Sequence, residues 1–256
     1  MQIHQEAPTD VIRYLDSRRH VTLEEKEPDF HRYIGNLKRF VSVDERTRML
    51  EIGTGLGWFP LLCRQKGLSC KGLEISPALI EHARSLGRAR GIEPDIELGN
   101  IEEADLGESQ YDVIIAYSVF EHVQRWERGI RKVFRALNPG GVLLFESTNK
   151  FSLRSGEYDF PLYGWLPDSW RYRLRIARQG EDIMKLGIDF NQFTYGQLRR
   201  AFRRAGFSRI YDRIELADPL HLPAWKRGLA TLGRRVRPLG SLMLFFSDCT
   251  IFVCIK

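Results

Sequence analysis

Short apolar runs alternate with longer amphipathic segments along most of the chain. The runs that indicate strands are residues 48–53, 69–75, 95–99, 111–117, 142–147, 209–216 and 250–255. Those at 111–117 and 142–147 are almost continuously apolar, which is typical of strands buried on both faces. This alternation predicts an α/β fold, with a doubly wound, mostly parallel sheet that helices cover on both faces.

Helix boundaries are readable between these runs. Ser76 precedes Pro77, the arrangement of an N-cap followed by proline at the first helical position. Thr194 opens the pattern of a capping box. Residues 10–41 predict one or two amphipathic helices, broken near Pro28.

Two stretches, 151–193 and 217–248, interrupt the alternation. The first is rich in aromatic residues and arginine, and the second separates the last two predicted strands. Long additions of this kind commonly carry specificity, so we expect both to contribute to recognition.

Composition indicates an ordinary globular protein. The 256 residues are enough to bury a full core, and 43 % of them are hydrophobic and 28 % charged. No apolar run approaches the ~20 residues that span a bilayer, and the first residues are too polar for a secretory signal. The four cysteines lack metal-binding spacing, so we expect reduced thiols, no metal site and a cytoplasmic location.

Positive charge is concentrated in the C-terminal part. Residues 1–150 hold 21 Lys and Arg against 23 Asp and Glu, whereas residues 151–256 hold 18 against 10. The asymmetry indicates an acidic partner (anionic substrate, nucleic acid or membrane surface) or a solvated basic face.

The stretch MLEIGTGLGW, residues 49–58, places three glycines after the first predicted strand. A dinucleotide fingerprint that begins at Gly53 requires glycine where Trp58 stands, and no Gly-Lys-Ser/Thr follows for a phosphate-binding loop. Glu51 would repel a phosphate but favour an ammonium group. The turn therefore predicts a ligand that lies against the backbone and carries a cation.

Two further strand ends indicate the rest of the ligand. Glu74 lies about 20 residues after the glycines, where an acidic side chain accepts hydrogen bonds from a ribose. Asn100 follows the third strand, from which a polar side chain reaches an adenine edge. S-adenosylmethionine fits these features better than NAD, with a nicotinamide-dependent oxidoreductase as the runner-up.

With these motifs the sequence resembles the class I S-adenosylmethionine-dependent methyltransferases. The matching segments are LEIGTGLG, GLEIS, GNIEEADL, YDVIIAYSVFEHV and LNPGGVLLFE, in the family's order, within residues 45–148. The resemblance is greatest to small-molecule enzymes of the ubiquinone-pathway and glycan-tailoring type. It implies a Rossmann-like methyltransferase fold with a seven-stranded sheet, in which the last strand, here CTIFVCIK, is antiparallel.

The resemblance also implies which residues contact S-adenosylmethionine. The matching positions are Glu51, Gly53, Thr54, Gly55, Gly57, Glu74, Ile75, Asn100, Ile101 and Tyr117. The glycine motif wraps the methionine part, Glu74 holds the ribose, and Tyr117 lies where acceptor and sulfonium meet.

We expect one methyltransferase domain over residues 1–256. Its parts are an N-terminal helical lid (1–45), a cofactor-binding core (46–150), a substrate-cap insertion (151–193) and the C-terminal part of the sheet (194–256), with a basic insertion at 217–248.

Methyl transfer from a sulfonium requires an in-line nucleophile rather than a metal. An alcohol acceptor benefits from a base of near-neutral pKa, and His122 is the first candidate, ahead of His31 and His221. A carboxylate or phenolate acceptor needs no base, and His122 then has a positioning role.

Acceptor contacts are expected from His31, Tyr163, Trp165 and Arg171. Arg171 belongs to an arginine-rich run that either clamps a phosphate or carboxylate or forms a solvated face. The turn after Tyr117 lacks the Asp/Asn-Pro-Pro-aromatic pattern of exocyclic-amine methyltransferases, which disfavours nucleic acid. The expected acceptor is a small molecule, anionic or linked to lipid or glycan, and methylated at oxygen.

Residues 222–246 combine an apolar stripe at helical spacing with basic residues. The stripe consists of Trp225, Leu229, Leu232 and Val236. Such a helix either lies at a membrane surface as a peripheral contact or packs the stripe onto its own domain. Two alternative functions stay open: a methyltransferase for nucleic acid or protein, and a non-catalytic accessory protein that binds S-adenosylmethionine.

Overall fold

The computed structural model describes residues 14–16, 18, 20–155, 160–180, 191–217 and 223–256. The strands within this part are β1 (Arg48–Ile52), β2 (Ser69–Glu74), β3 (Ile96–Leu98), β4 (Tyr111–Tyr117), β5 (Leu137–Thr148), β6 (Arg154–Ser155), β7 (Phe160–Pro161), β8 (Arg209–Asp212) and β9 (Cys249–Ile255). The helices are α1 (Leu23–Leu37), α2 (Trp58–Gln65), α3 (Pro77–Arg88), α4 (Trp126–Ala136), α5 (Asp168–Gln179), α6 (Tyr195–Ala205), α7 (Arg213–Leu216), α8 (Ala224–Arg235) and α9 (Arg237–Phe245).

Seven of the described strands form one sheet in the order β3-β2-β1-β4-β5-β9-β8. The pairs among β1 to β5 are parallel, whereas β9 runs antiparallel to both β5 and β8. The strand order reverses between β1 and β4, and ligands of open α/β sheets bind beyond the carboxyl ends at such a point. The predicted doubly wound sheet with an antiparallel last strand is confirmed.

Helices cover both faces of the sheet because its central strands are apolar on both sides. On one face, Phe145 of β5 and Phe252 of β9 pack around Phe202 of α6, with ring centroids 5.2 and 5.3 Å from it. On the other face, α1 and α2 cover the side chains of Met49 and Val253. These two layers hold the strand ends in fixed positions.

The described elements correct two of the sequence predictions. The strand expected over 209–216 ends at Asp212, whose carboxylate accepts hydrogen bonds from the N–H groups of Ile214 and Glu215 and begins α7. The helix break expected near Pro28 does not occur. Helix α1 continues through Pro28, and its buried face packs on the sheet. Tertiary packing outweighs the hydrogen bond that proline cannot donate.

Among the described residues, no helix combines the length and apolar character that crossing a bilayer requires. The division into lid, core and insertions stays a prediction.

Candidate active site

The glycine turn between β1 and α2 is built from left-handed backbone. Gly53, Gly55 and Gly57 have φ of +69°, +54° and +72°. A Cβ on Gly53 would lie 2.3 Å from Cγ2 of Val119, in the turn after β4. Only glycine allows β1 and the segment after β4 to approach this closely.

Glu74, at the end of β2, holds this turn. Its Oε2 accepts a hydrogen bond of 2.8 Å from the N–H of Gly55, and its Oε1 accepts bonds from Ile75 (2.9 Å) and Ser76 (3.0 Å). The side chain is buried. A carboxylate that accepts hydrogen bonds from three N–H groups is fixed in position at the wall of the cavity described below, where a ligand hydroxyl can reach it.

Glu51, at the end of β1, lacks such support. It is buried, and its Oε2 has no hydrogen-bond partner within the described part of the chain. Burial raises the pKa of this carboxyl well above its usual range, and the nearby charge of Glu74 raises it further. A ligand ammonium group would compensate both effects, so this residue fits the amino end of S-adenosylmethionine.

A cavity of about 790 Å³ opens beyond the carboxyl ends of the strands. The predicted site residues that line it are Glu51, Gly53, Thr54, Gly55, Glu74, Ile75, Asn100, Ile101, Tyr117 and His122. Gly57 does not line it. A Cβ there would lie 2.4 Å from Cβ of Ala83, so this glycine allows α2 to pack on α3.

Asn100 lies in the turn after β3. Its Oδ1 accepts a hydrogen bond of 2.9 Å from the N–H of Glu102, which orients the side chain. The amide nitrogen is then the group left to donate to an acceptor atom of a ligand such as an adenine ring nitrogen.

Aromatic and acidic side chains line another part of the cavity. The ring of Tyr117 at the end of β4 stacks on that of Tyr33 of α1, with centroids 4.2 Å apart. Glu146 of β5 pairs in register with Tyr117. Burial raises the pKa of Glu146 to about 7, although the charges of Arg32 and Arg213 lower it. A carboxyl that titrates near neutrality is able to accept a proton from a substrate.

Three residues that the sequence motifs do not indicate also line the cavity: Tyr33, Glu146 and Asp248. The sequence contains a signal for Glu146, because it directly follows the apolar residues 142–145 of a predicted strand, and the carboxyl ends of parallel strands meet at one edge. Tyr33 had no such signal, since only the packing of α1 brings it to Tyr117.

The expected acceptor residues lie outside the cavity lining. His31 is on the exposed side of α1, edge-on to Phe30. Arg171 is buried, donates to Asp168 at 2.8 Å and lies against two tyrosine rings. One of those rings belongs to Tyr163, which is buried beside it. Arg175, one turn further along α5 in the same arginine-rich run, does line the cavity.

Trp165 is partly exposed and packs on aromatic rings of α9 and the segment after it rather than lining the cavity. His221 lies outside the described residues. The roles expected for these side chains stay predictions.

His122 ends a short 3₁₀ turn, Phe120–His122, at the cavity wall. The preceding Glu121 is fully buried and accepts a hydrogen bond of 2.7 Å from the hydroxyl of Ser147 on β5. This bond fastens the turn to the sheet and so fixes where His122 enters the cavity.

Known proteins resemble this chain in sequence and in fold. A probable S-adenosylmethionine-dependent methyltransferase of Mycolicibacterium smegmatis is 32 % identical over 114 residues, 44 % of this chain and 42 % of that protein. A ubiquinone biosynthesis O-methyltransferase of Azorhizobium caulinodans is 30 % identical over 141 residues, 53 % of this chain and 55 % of that protein. The chain thus spans about half the length of these curated relatives.

A solved structure of a SAM-dependent methyltransferase from Archaeoglobus fulgidus has the same fold. Its TM-score is 0.58 at 16 % identity, over 96 % of this chain and 99 % of that one. A family model described as a methyltransferase domain matches residues 24–211. The chain therefore belongs to the methyltransferase-domain family, with the class I fold and S-adenosylmethionine as the cofactor that its site residues fit.

Proposed function

We propose that the protein transfers a methyl group from S-adenosylmethionine to an oxygen of a small organic acceptor. The observation that carries the proposal is the continuity of the cavity. It runs from the glycine turn, Glu51 and Glu74 to Tyr117 and Glu146. One continuous cavity then serves the cofactor and a second, smaller molecule.

Residues of the chain supply binding and orientation. Glu51 pairs with the ammonium group, Glu74 accepts from the ribose, and Asn100 reaches the adenine edge. Bound S-adenosylmethionine would supply a methyl group that its positively charged sulfur activates. The acceptor oxygen would gain this methyl group and lose its proton to a base, and S-adenosylhomocysteine would leave. The cavity walls hold the acceptor in line and exclude water.

Glu146 is the base that the structure favours for an alcohol acceptor. Its carboxyl lines the cavity beside Tyr117, and with a pKa of about 7 it is half ionised at neutral pH. It would take the hydroxyl proton as the oxygen becomes nucleophilic. His122 is the second candidate, since it lines the same cavity.

The acceptor class is proposed from charge and from relatives. Arg175 lines the cavity and favours a substrate with a carboxylate or phosphate. Relatives include the ubiquinone O-methyltransferase and a malonyl-[acyl-carrier protein] O-methyltransferase of Serratia marcescens, 26 % identical over 107 residues. These two support oxygen as the methylated atom, whereas norajmaline N-methyltransferase of Rauvolfia serpentina, 29 % identical over 102 residues, is named for methylation of nitrogen. The choice of oxygen therefore rests on the acidic side chain of Glu146 in the cavity. An acceptor linked to lipid or glycan belongs to the same proposal.

Two experiments test the proposal. Calorimetric titration with S-adenosylhomocysteine and NAD should show binding of the first alone, and tight binding of NAD alone would overturn it. Release of S-adenosylhomocysteine should then be measured with hydroxybenzoates and the matching aminobenzoates. Turnover of the hydroxyl compounds supports O-methylation, whereas turnover of the amines alone contradicts it.

The same assays separate the alternatives. A nucleic-acid or protein methyltransferase would turn over with RNA, DNA or a cell extract rich in protein but not with the small hydroxyl compounds. An accessory protein would bind S-adenosylhomocysteine and turn over with none of them.

A further inference from the structure

Helices α8 and α9 form a hairpin that packs through two glycines. A Cβ on Gly240 would lie 2.5 Å from the carbonyl oxygen of Gly233, so the two helix backbones are in direct contact. On α8 the buried positions are Ala230 and Gly233. Small residues therefore make the contact between the two helices. The large apolar side chains of α8 lie outside this contact.

Those large side chains face outward. Trp225, Leu229, Leu232 and Val236 are exposed to 65, 42, 46 and 43 % of their full surface. They follow one another at helical spacing and so share one face of α8. Packing onto its own domain therefore does not account for the exposed part of this stripe.

The end of α9 adds aromatic rings to the exposed surface. Phe245 stacks on Phe151 with centroids 4.1 Å apart, and Phe246 lies parallel to Trp165 at 6.2 Å. Phe245, Phe246 and Trp165 each keep more than a third of their surface exposed. Exposed apolar side chains on two successive helices and beside them form a candidate interaction site.

Charge indicates the partner. Residues 223–246 contain Lys226, Arg227, Arg234, Arg235 and Arg237 and no acidic residue. Arg234 bonds inward to the carbonyls of Ile214 and Ala217, whereas Lys226 lies over the ring of Trp225 at 5.3 Å. A second copy of this basic hairpin would be repelled, but anionic lipid headgroups would be attracted.

The hairpin is fastened to the cavity wall. Nδ2 of Asn149, which lines the cavity, donates to the carbonyls of Leu244 (3.1 Å), Phe245 (3.0 Å) and Ser247 (2.7 Å). Nε1 of Trp165 donates to the carbonyl of Ser152, another lining residue, at 3.0 Å. Because of these hydrogen bonds, the exposed aromatic rings at the end of α9 lie next to the cavity.

We propose that the α8–α9 hairpin docks on an anionic membrane surface through its outward apolar side chains and basic flanks. The docking itself needs no methyl transfer. In combination with the proposed function, it places the acceptor cavity where a lipid-linked acceptor would be presented.

Co-sedimentation with vesicles tests the docking. The full chain should pellet with vesicles of phosphatidylcholine and phosphatidylglycerol and much less with phosphatidylcholine alone. Its binding should weaken as salt is raised, because the attraction between the basic residues and the headgroups is screened. The double variant Trp225→Ser, Leu229→Ser should bind at least about tenfold more weakly, since it removes two side chains from the outward face.

Leu98→Ser is the matched control, because Leu98 is also exposed but lies on β3 at the far edge of the sheet. Its vesicle binding should equal that of the unchanged chain. Titration of each variant with S-adenosylhomocysteine tests whether it is folded. This measurement does not depend on docking, because no vesicles are present. Equal recovery of the chain and the double variant in the supernatant overturns the proposal, as does a dimer in sedimentation velocity that the double variant abolishes.

Discussion

Glu74 at the end of β2 accepts a 2.8 Å hydrogen bond from the N–H of Gly55 in the turn after β1. A residue expected only to hold a ribose therefore also shapes the glycine turn that the ligand would lie against. The same carboxylate connects the end of β2 to the turn after β1, so changes at Glu74 should affect both parts of the proposed cofactor site.

Glu74→Gln should weaken binding of S-adenosylhomocysteine by about 10- to 100-fold. The amide keeps one acceptor but turns an N–H₂ toward backbone donors, which costs about 1–3 kcal/mol. Calorimetry measures the change. Glu97 is exposed on β3 and forms a salt bridge with Lys71 of β2. The variant Glu97→Gln is the control and should bind S-adenosylhomocysteine normally. Equal affinity of the two variants would show that the carboxylate is not needed.

Binding of S-adenosylmethionine should release protons from Glu51. The pKa of its carboxyl is raised by burial and by Glu74 in the free protein, and an ammonium ligand lowers it. Titrations in buffers of different ionisation enthalpy should give different apparent enthalpies, and Glu51→Gln should abolish that difference. Buffer-independent enthalpies for the unchanged chain would contradict the assignment.

With a hydroxyl acceptor, kcat/KM should rise with pH and level off above about 7, because the proposed base must be ionised. Glu146→Gln should lower the rate by roughly 10²- to 10⁴-fold and remove this rise. His122→Asn is the comparison variant. If it removes the rise while Glu146→Gln keeps it, His122 is the base.

The free energy of unfolding should reveal the raised pKa of Glu146 without any substrate. Its pKa of about 7 in the folded protein exceeds the ordinary value of 4.5, so the folded state holds the proton more tightly. The resulting contribution to the free energy of unfolding is fully present below pH 4.5 and is lost as the pH rises through 7. The loss amounts to up to about 2 kcal/mol for a partly exposed group. Urea unfolding at pH 5 and pH 8 should show a smaller loss for Glu146→Gln than for the unchanged chain. An equal loss in both proteins would contradict the raised pKa.

Gly53→Ala should destabilise the protein more than Gly67→Ala does. Both glycines have left-handed backbone, at φ +69° and +75°, but only at Gly53 would the Cβ meet Val119, whereas it meets nothing within 4 Å at Gly67. Strain alone costs about 1 kcal/mol, and the contact should add about 1–3 kcal/mol. Urea unfolding separates the two effects, and equal losses would show that Val119 moves aside.

The sequence by itself determined the sheet and most of the predicted residues that line the cavity at its edge. Apolar runs with readable helix ends specify strand–helix alternation, and such a chain has few ways to bury its strands. Since ligands bind at the carboxyl ends of parallel strands, the sequence alone assigns Glu51, Gly53, Glu74 and Asn100 to one edge of the sheet. These are local signals carried by neighbouring residues.

The tertiary structure alone decided which residues line the part of the cavity proposed for the acceptor. Tyr33 meets Tyr117 only because α1 packs across the sheet. Arg175 rather than Arg171 lines the cavity because of how α5 is rotated against its neighbours. The stripe on α8 faces outward because Gly233 and Gly240 bring the two helices into contact on the other side. Helix docking and rotation depend on packing between segments far apart in the chain, and no local pattern records that packing.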